Sequence, residues 1–194
     1  MQVNLDKVFA ISAPAENAWT FLQDIPSVAR CLPGAEITEQ LDDQNYKGTV
    51  KVKIGPATAN FKGDILIKEL DSKTRQLHMV GKGGDVKGTS SATMDLTATV
   101  KATDSGCELV GYAEVSVTGK LASLGGRMMT QVSDQILNQF GDNFANQVLA
   151  MGEGEEAEAA AEKAAQQPEG LNAFSFLWSM ITSSLRKLFG GKSS

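Results

Sequence analysis

The 194-residue sequence contains one histidine, His78, and two cysteines, Cys31 and Cys107. That inventory leaves no spare members for a two-histidine metal site, a Ser-His-Asp triad or a Cys-His pair. His78 alternates with Leu77 and Met79, which places it on the outer face of a strand. The cysteines are far apart and form neither a CxxC site nor a disulfide framework, so a reducing compartment fits them. Gly81-Lys82-Gly83-Gly84 invites a phosphate-loop reading, but the GxxxxGK[ST] spacing is missing and no helix follows; a turn between strands is expected. Asp42-Asp43 lie in turn-like sequence and serve solubility, since a catalytic carboxylate pair needs a sheltered cleft. No catalytic residue, metal ligand or covalent cofactor is expected, and the chain is read as non-enzymatic.

The residues that remain to do chemistry are apolar. From Tyr46 the alternation is clean: Tyr46, Gly48, Val50, Val52 and Ile54 share one face, and Lys47, Thr49, Lys51 and Lys53 the other. After Gly55-Pro56 it resumes with Ala57, Ala59, Phe61, Gly63, Ile65 and Ile67 inward. Leu77 to Gly81, Ala92 to Val100 and Leu109 to Val117 continue it as an antiparallel meander. Val3, Leu5, Phe9 and Ile11 suggest a first strand, and Pro14-Ala15-Glu16 opens a helix carrying Trp19, Phe21 and Leu22. A second short helix starts near Ser27 and ends near Pro33-Gly34. A long helix from about Ala122 to Leu149 carries an apolar stripe at Leu124, Met128, Val132, Ile136, Phe140, Phe144 and Val148. This order is α+β, and the simplest burial scheme lays the long helix across a concave sheet.

Many inward positions are small: Gly48, Ala59, Gly63, Gly81, Ala92, Ala98, Gly111 and Ala113. Small residues there mean either a close approach of the helix, which Gly125-Gly126 would permit, or a cavity. Met79, Met94, Met128 and Met129 supply adaptable apolar surface. The expected lining of such a cavity is Phe61, Met79, Met94, Leu96, Met128, Met129, Val132 and Ile136.

The wording of several segments is also familiar: Ser12-Ala13-Pro14 with Trp19, Cys31-Leu32-Pro33-Gly34-Ala35-Glu36, Lys51-Val52-Lys53-Ile54-Gly55-Pro56 running on to Phe61-Lys62-Gly63, Gly81-Lys82-Gly83, and Gly119-Lys120-Leu121-Ala122-Ser123-Leu124-Gly125. With these, residues 3–149 resemble the CoxG family associated with carbon monoxide dehydrogenase, within the START-like helix-grip superfamily. The resemblance implies a seven-stranded antiparallel sheet around one long helix and an interior apolar tunnel. It also implies service to a molybdenum hydroxylase at the cytoplasmic membrane, and it carries no catalytic residues.

Composition sets the remaining bounds. The formal charge of −5 is spread over both parts of the chain, with 14 Lys/Arg against 17 Asp/Glu in residues 1–150 and 4 against 6 in residues 151–194. No basic field for nucleic acid exists. Met1 to Asp6 lacks the basic and apolar regions of a secretory signal, and no apolar run approaches membrane-spanning length, so a cytoplasmic body is expected. Residues 1–150 form the ligand-binding domain in this scheme. Residues 151–170, rich in Gly, Glu, Ala and Gln, read as a flexible linker with local helical preference. Residues 171–194 read as an amphipathic helix whose face includes Phe174, Leu177, Trp178, Ile181, Leu185, Leu188 and Phe189 within about 120° of a helical wheel. Trp178 at the headgroup level, with Arg186 and Lys187 drawn to anionic lipid, suits docking on the inner face of the cell membrane, and packing on protein is the alternative. The two halves together suggest a carrier that holds a respiratory quinone or lipid and presents it to the hydroxylase. The competing expectation is an adaptor that recruits or assembles the enzyme without carrying a ligand.

Overall fold

Every strand expected from period-2 alternation forms, and all join one antiparallel sheet. The structure is a computed structural model and describes residues 1–54 and 57–166 of the 194-residue chain. The elements run β1 (Gln2–Ile11), α1 (Ala15–Gln23), α2 (Ile25–Cys31), β2 (Ala35–Gln40), β3 (Asn45–Ile54), β4 (Ala57–Asp71), β5 (Gln76–Asp85), β6 (Ser90–Thr103), β7 (Gly106–Gly119), α3 (Gly126–Ala150) and α4 (Glu155–Ala165). The sheet order is β1-β7-β6-β5-β4-β3-β2, so the meander is interrupted only where β1 adds to β7. With the 25-residue α3 gripped by this curved seven-stranded sheet, the fold is α+β of the helix-grip type.

Local chemistry explains the first turn of the chain. Ala15, Ala18, Trp19 and Leu22 repeat at helical spacing and are all buried. Helix α2 is capped by Asp24, whose carboxylate accepts hydrogen bonds from the Ser27 backbone N–H at 3.1 Å and the Ser27 hydroxyl at 2.7 Å. Strand β2 was not legible from alternation, since Ile37 is its one large inward apolar residue, and it is an edge strand with a register shift after that residue.

Helix α3 starts at Gly126, four residues later than its stripe suggests. Lys120–Leu124 form a 3₁₀ turn, and Gly125 at φ 84° sets the chain in a left-handed conformation that ends it. The closest contact of helix and sheet is also not where it was expected. A Cβ on Gly125 or Gly126 would meet nothing within 4 Å, whereas one on Gly141 would collide with the Phe9 ring. Gly141 is the residue that lets α3 come down on β1.

Around that contact lies the core. Phe9 meets Phe140 edge-on at 6.0 Å between ring centroids, Phe21 meets Phe144 at 5.1 Å, and Phe140 lies 5.8 Å from Phe144. Phe144 and Val148 are fully buried with Trp19, Leu22, Cys31, Leu77, Val100 and Leu109. Each large side chain so buried is worth about 1.5–3 kcal/mol.

The segment after α3 departs from a free linker over part of its length. Residues 155–165 form α4, which turns back on α3 with Ala157 and Ala160 buried. Small side chains allow this: alanines at helical spacing let two helices approach without any large apolar residue. The expected membrane-docking residues Phe174, Leu177, Trp178, Ile181, Leu185, Arg186, Lys187, Leu188 and Phe189 lie outside the described residues.

Candidate functional site

The core occupies one half of the space between helix and sheet. From Phe140 onward α3 is packed against β1, α1, α2 and one end of β3. Its first half, Gly126 to Gln139, has no buried residue. Among the described residues, β4, β5 and β6 have no comparable approach to α3.

Strand register shows what lies opposite. Ile67, Met79, Leu96, Ala113 and Leu5 form one row across β4, β5, β6, β7 and β1. Ile65, Gly81, Met94, Val115 and Val3 form the next. Met94, Leu96 and Val115 remain partly exposed and outside the core, as do Met129, Val132 and Ile136 on α3. Met79 differs, because it packs against the core and forms the base of the space. Phe61 is half-buried two rows beyond Met94, beside Val50 and Asp85, and Met128 is 37 % exposed at the start of α3.

The eight expected lining residues thus occupy one region, from Met79 at the base to Phe61 and Met128 at the mouth. The arrangement is an apolar cleft, open along the free half of α3, and it exposes more greasy surface than a packed interior would leave. Space within it is evident at Gly111: this inward position lies between the buried residues Leu109 and Ala113, yet a Cβ there would meet nothing within 4 Å. Gly81, in the Met94 row, has only the Met94 methyl at 3.7 Å.

Lys7 escaped the sequence reading. It shares its face with Val3, Leu5, Phe9 and Ile11 and pairs with Gly111 across β7. Its Nζ lies 2.8 Å from Asp134 Oδ1 on α3, so an ion pair closes the β1 side of the cleft. The signal was the single charge in an apolar alternation.

The other polar candidates have structural roles. Gly81-Lys82-Gly83-Gly84 is strand, not turn: Gly83 pairs with Gly63 on one side and Ala92 on the other. The run of glycines is required by close packing of backbones, since a Cβ on Gly63 would strike the Lys82 carbonyl. Asp42 accepts hydrogen bonds from the Gln44 and Asn45 backbone N–H groups at 2.8 and 2.7 Å. Those donors, with the Asn45 side-chain amide, hold its carboxyl below the usual range and fix a turn. His78 Nε2 lies 2.8 Å from Asp95 Oδ1 on the outer face of the sheet. Burial pushes the Cys31 thiol up to about 12, which leaves it protonated and unreactive near neutrality. Among the described residues no cluster of three His, Cys, Asp or Glu could hold a metal ion.

The family model of the carbon monoxide dehydrogenase G subunit (CoxG) matches residues 8–149, which spans both the core and the cleft. The chain belongs to this family. No curated protein matches it in sequence. Among solved structures, a conserved protein from Geobacillus kaustophilus superposes with a TM-score of 0.65 at 17 % identity, covering 76 % of this chain and 95 % of that one. An aromatase/cyclase from Streptomyces sp. R1128 gives 0.56 at 14 % identity, with 79 % and 100 % covered. A START superfamily protein from Mycobacterium smegmatis gives 0.52 at 13 % identity, with 78 % and 99 % covered. These likenesses establish the START-like fold of the CoxG chain.

Proposed function

We propose that this CoxG-family protein is a non-catalytic carrier that holds a lipophilic molecule, a respiratory quinone, in its cleft and delivers it to a molybdenum hydroxylase of the carbon monoxide dehydrogenase type. One observation carries the reading: Met94, Leu96, Val115, Val132 and Ile136 stay outside the core and partly exposed on the two walls of one cleft. A monomer gains nothing by leaving such surface wet, and an apolar guest would recover about 25 cal/mol for each Å² it covers. Methionine-lined walls suit a flexible, irregular guest such as a prenyl chain. The family name supplies the enzyme partner, and quinone follows because that enzyme's electrons must reach a membrane pool. The amphipathic sequence 171–194 supplies reversible attachment to the inner face of the cell membrane.

The test is solvent extraction of purified protein followed by mass spectrometry, with titration of a short-chain quinone into extracted protein. Quinone recovery or saturable uptake is expected. A preparation that neither contains nor takes up quinone or lipid would leave the chain as an adaptor that recruits the enzyme.

A further inference from the structure

Charge is distributed unevenly along the body. Beyond the strand row of Glu36, Thr49, Lys62 and Gly84, toward the cleft mouth, the exposed charged side chains among the described residues are Lys51, Lys53, Lys87, Lys120 and Arg127. The carboxylate there, Asp85, is buried and accepts a hydrogen bond from the Thr89 hydroxyl at 2.9 Å. The opposite end carries Asp42, Asp43, Asp71 and Asp104 in its turns. A chain of net charge −5 therefore presents a cationic tip at the mouth of its cleft.

Large apolar side chains project from the same tip. Val86, in the turn between β5 and β6, is 63 % exposed, and Leu124 and Met128 are 38 and 37 % exposed. The backbone holds these pieces together, because the Lys120 N–H bonds to the Thr89 carbonyl at 3.0 Å and the Leu121 N–H to the Ser90 hydroxyl at 3.1 Å. Exposed aliphatic tips among cations match the boundary of an anionic bilayer, where apolar groups enter and ammonium groups meet phosphate. An acidic protein face would satisfy the cations but would leave Val86 without an apolar partner.

We infer that the cleft mouth is itself a membrane contact, in which Val86, Leu124 and Met128 enter the headgroup boundary of an anionic bilayer while Lys87, Lys120 and Arg127 engage its phosphates. The contact goes beyond attachment by residues 171–194, because it orients the body mouth-down so that a lipophilic guest can pass between bilayer and cleft. Its use rests on the carrier reading; its chemistry does not.

The test uses the full chain with Val86→Cys or, as a control on the outer sheet face, Tyr112→Cys, each carrying an environment-sensitive thiol fluorophore. The native Cys31 and Cys107 are buried, so labelling is confined to the introduced thiol. With phosphatidylglycerol/phosphatidylcholine vesicles, the label at position 86 should brighten and shift to the blue while that at 112 does not. Adding Lys87→Glu and Lys120→Glu should weaken the position-86 response at least about tenfold in vesicle concentration. Equal responses at 86 and 112, or none at 86 in protein that still floats with vesicles, would overturn the contact and leave attachment to the tail. A response at 86 to the dehydrogenase but not to vesicles would overturn it in favour of a protein partner. Uptake of detergent-solubilised quinone, measured on the same samples, reports separately on the cleft.

Discussion

Lys7 and Asp134 join the apolar face of β1 to the free half of α3 at 2.8 Å, seven residues before Gly141 brings the same helix onto Phe9. The pair and the glycine are two fastenings of one helix, and they differ in kind. Lys7 and Asp134 side chains are 30 and 46 % exposed, so their attraction is screened and worth at most about 1 kcal/mol. A double-mutant cycle with Lys7→Met and Asp134→Asn should give a coupling below that value, falling as salt rises. A salt-independent coupling of several kcal/mol would mean that the pair is sealed from water and the cleft closed on that side.

Gly141 should be far less tolerant. A side chain there must displace the Phe9 ring or lift α3 from the sheet, and overpacking of this kind costs about 1–3 kcal/mol. Gly141→Leu should lower the urea midpoint accordingly, with loss of near-ultraviolet signal from the aromatic cluster. Unchanged stability would show that helix and sheet are not held together at this point.

Gly111 offers the opposite experiment. It also faces inward, but its missing Cβ would enter open space, so Gly111→Leu should fold with stability equal to or above that of the parent. The new side chain would occupy the cleft beside Lys7, and saturable quinone uptake should fall at least about tenfold, a loss of roughly 1.4 kcal/mol. Full uptake by a stable Gly111→Leu protein would place any guest elsewhere.

The contrast between these glycines shows how much the sequence discloses. Alternation located six strands, and spacing of four located α3, because each reports which face of an element is apolar. The edge strand β2, with Ile37 as its one large inward apolar residue, offers alternation nothing to detect. The small inward residues were visible as a set, yet composition cannot say that Gly141 and Gly63 are sites of contact while Gly111 borders space. That distinction depends on how elements are placed in three dimensions. The lining residues from Met79 to Ile136 were legible from facing; that Met79 belongs to the base and Met94 to the open wall was not. Lys7 was readable as a break in pattern, and its partner was not, since Asp134 lies in another element.

Cys31 provides a prediction in pH. Its thiol is raised from 9.0 to about 12, chiefly by burial, with Arg30 opposing. A raised acid binds its proton more tightly in the folded state, so its contribution to stability is complete below pH 9 and is lost as pH climbs toward 12. Urea unfolding between pH 8 and about 11 should show stability declining in wild type, and less steeply in Cys31→Ala. Identical slopes would mean that the thiol is not desolvated. Below pH 9 a thiol reagent should modify Cys31 only as the protein unfolds.

Attachment to membranes has two sources in this scheme, and salt separates them. An apolar helical face in residues 171–194 binds by burying area, which ionic strength hardly affects, whereas the cationic tip at Lys87, Lys120 and Arg127 depends on unscreened charge. A chain ending at Gln167 keeps α4 and the whole body. At physiological salt it should fail to float with anionic vesicles that carry the full-length protein. At about 0.01 M salt, where the Debye length reaches about 30 Å, weak flotation should return and should disappear again in Lys87→Glu/Lys120→Glu. Equal flotation of the two lengths at physiological salt would reject the tail as the anchor, and the body would then have to supply the attachment alone.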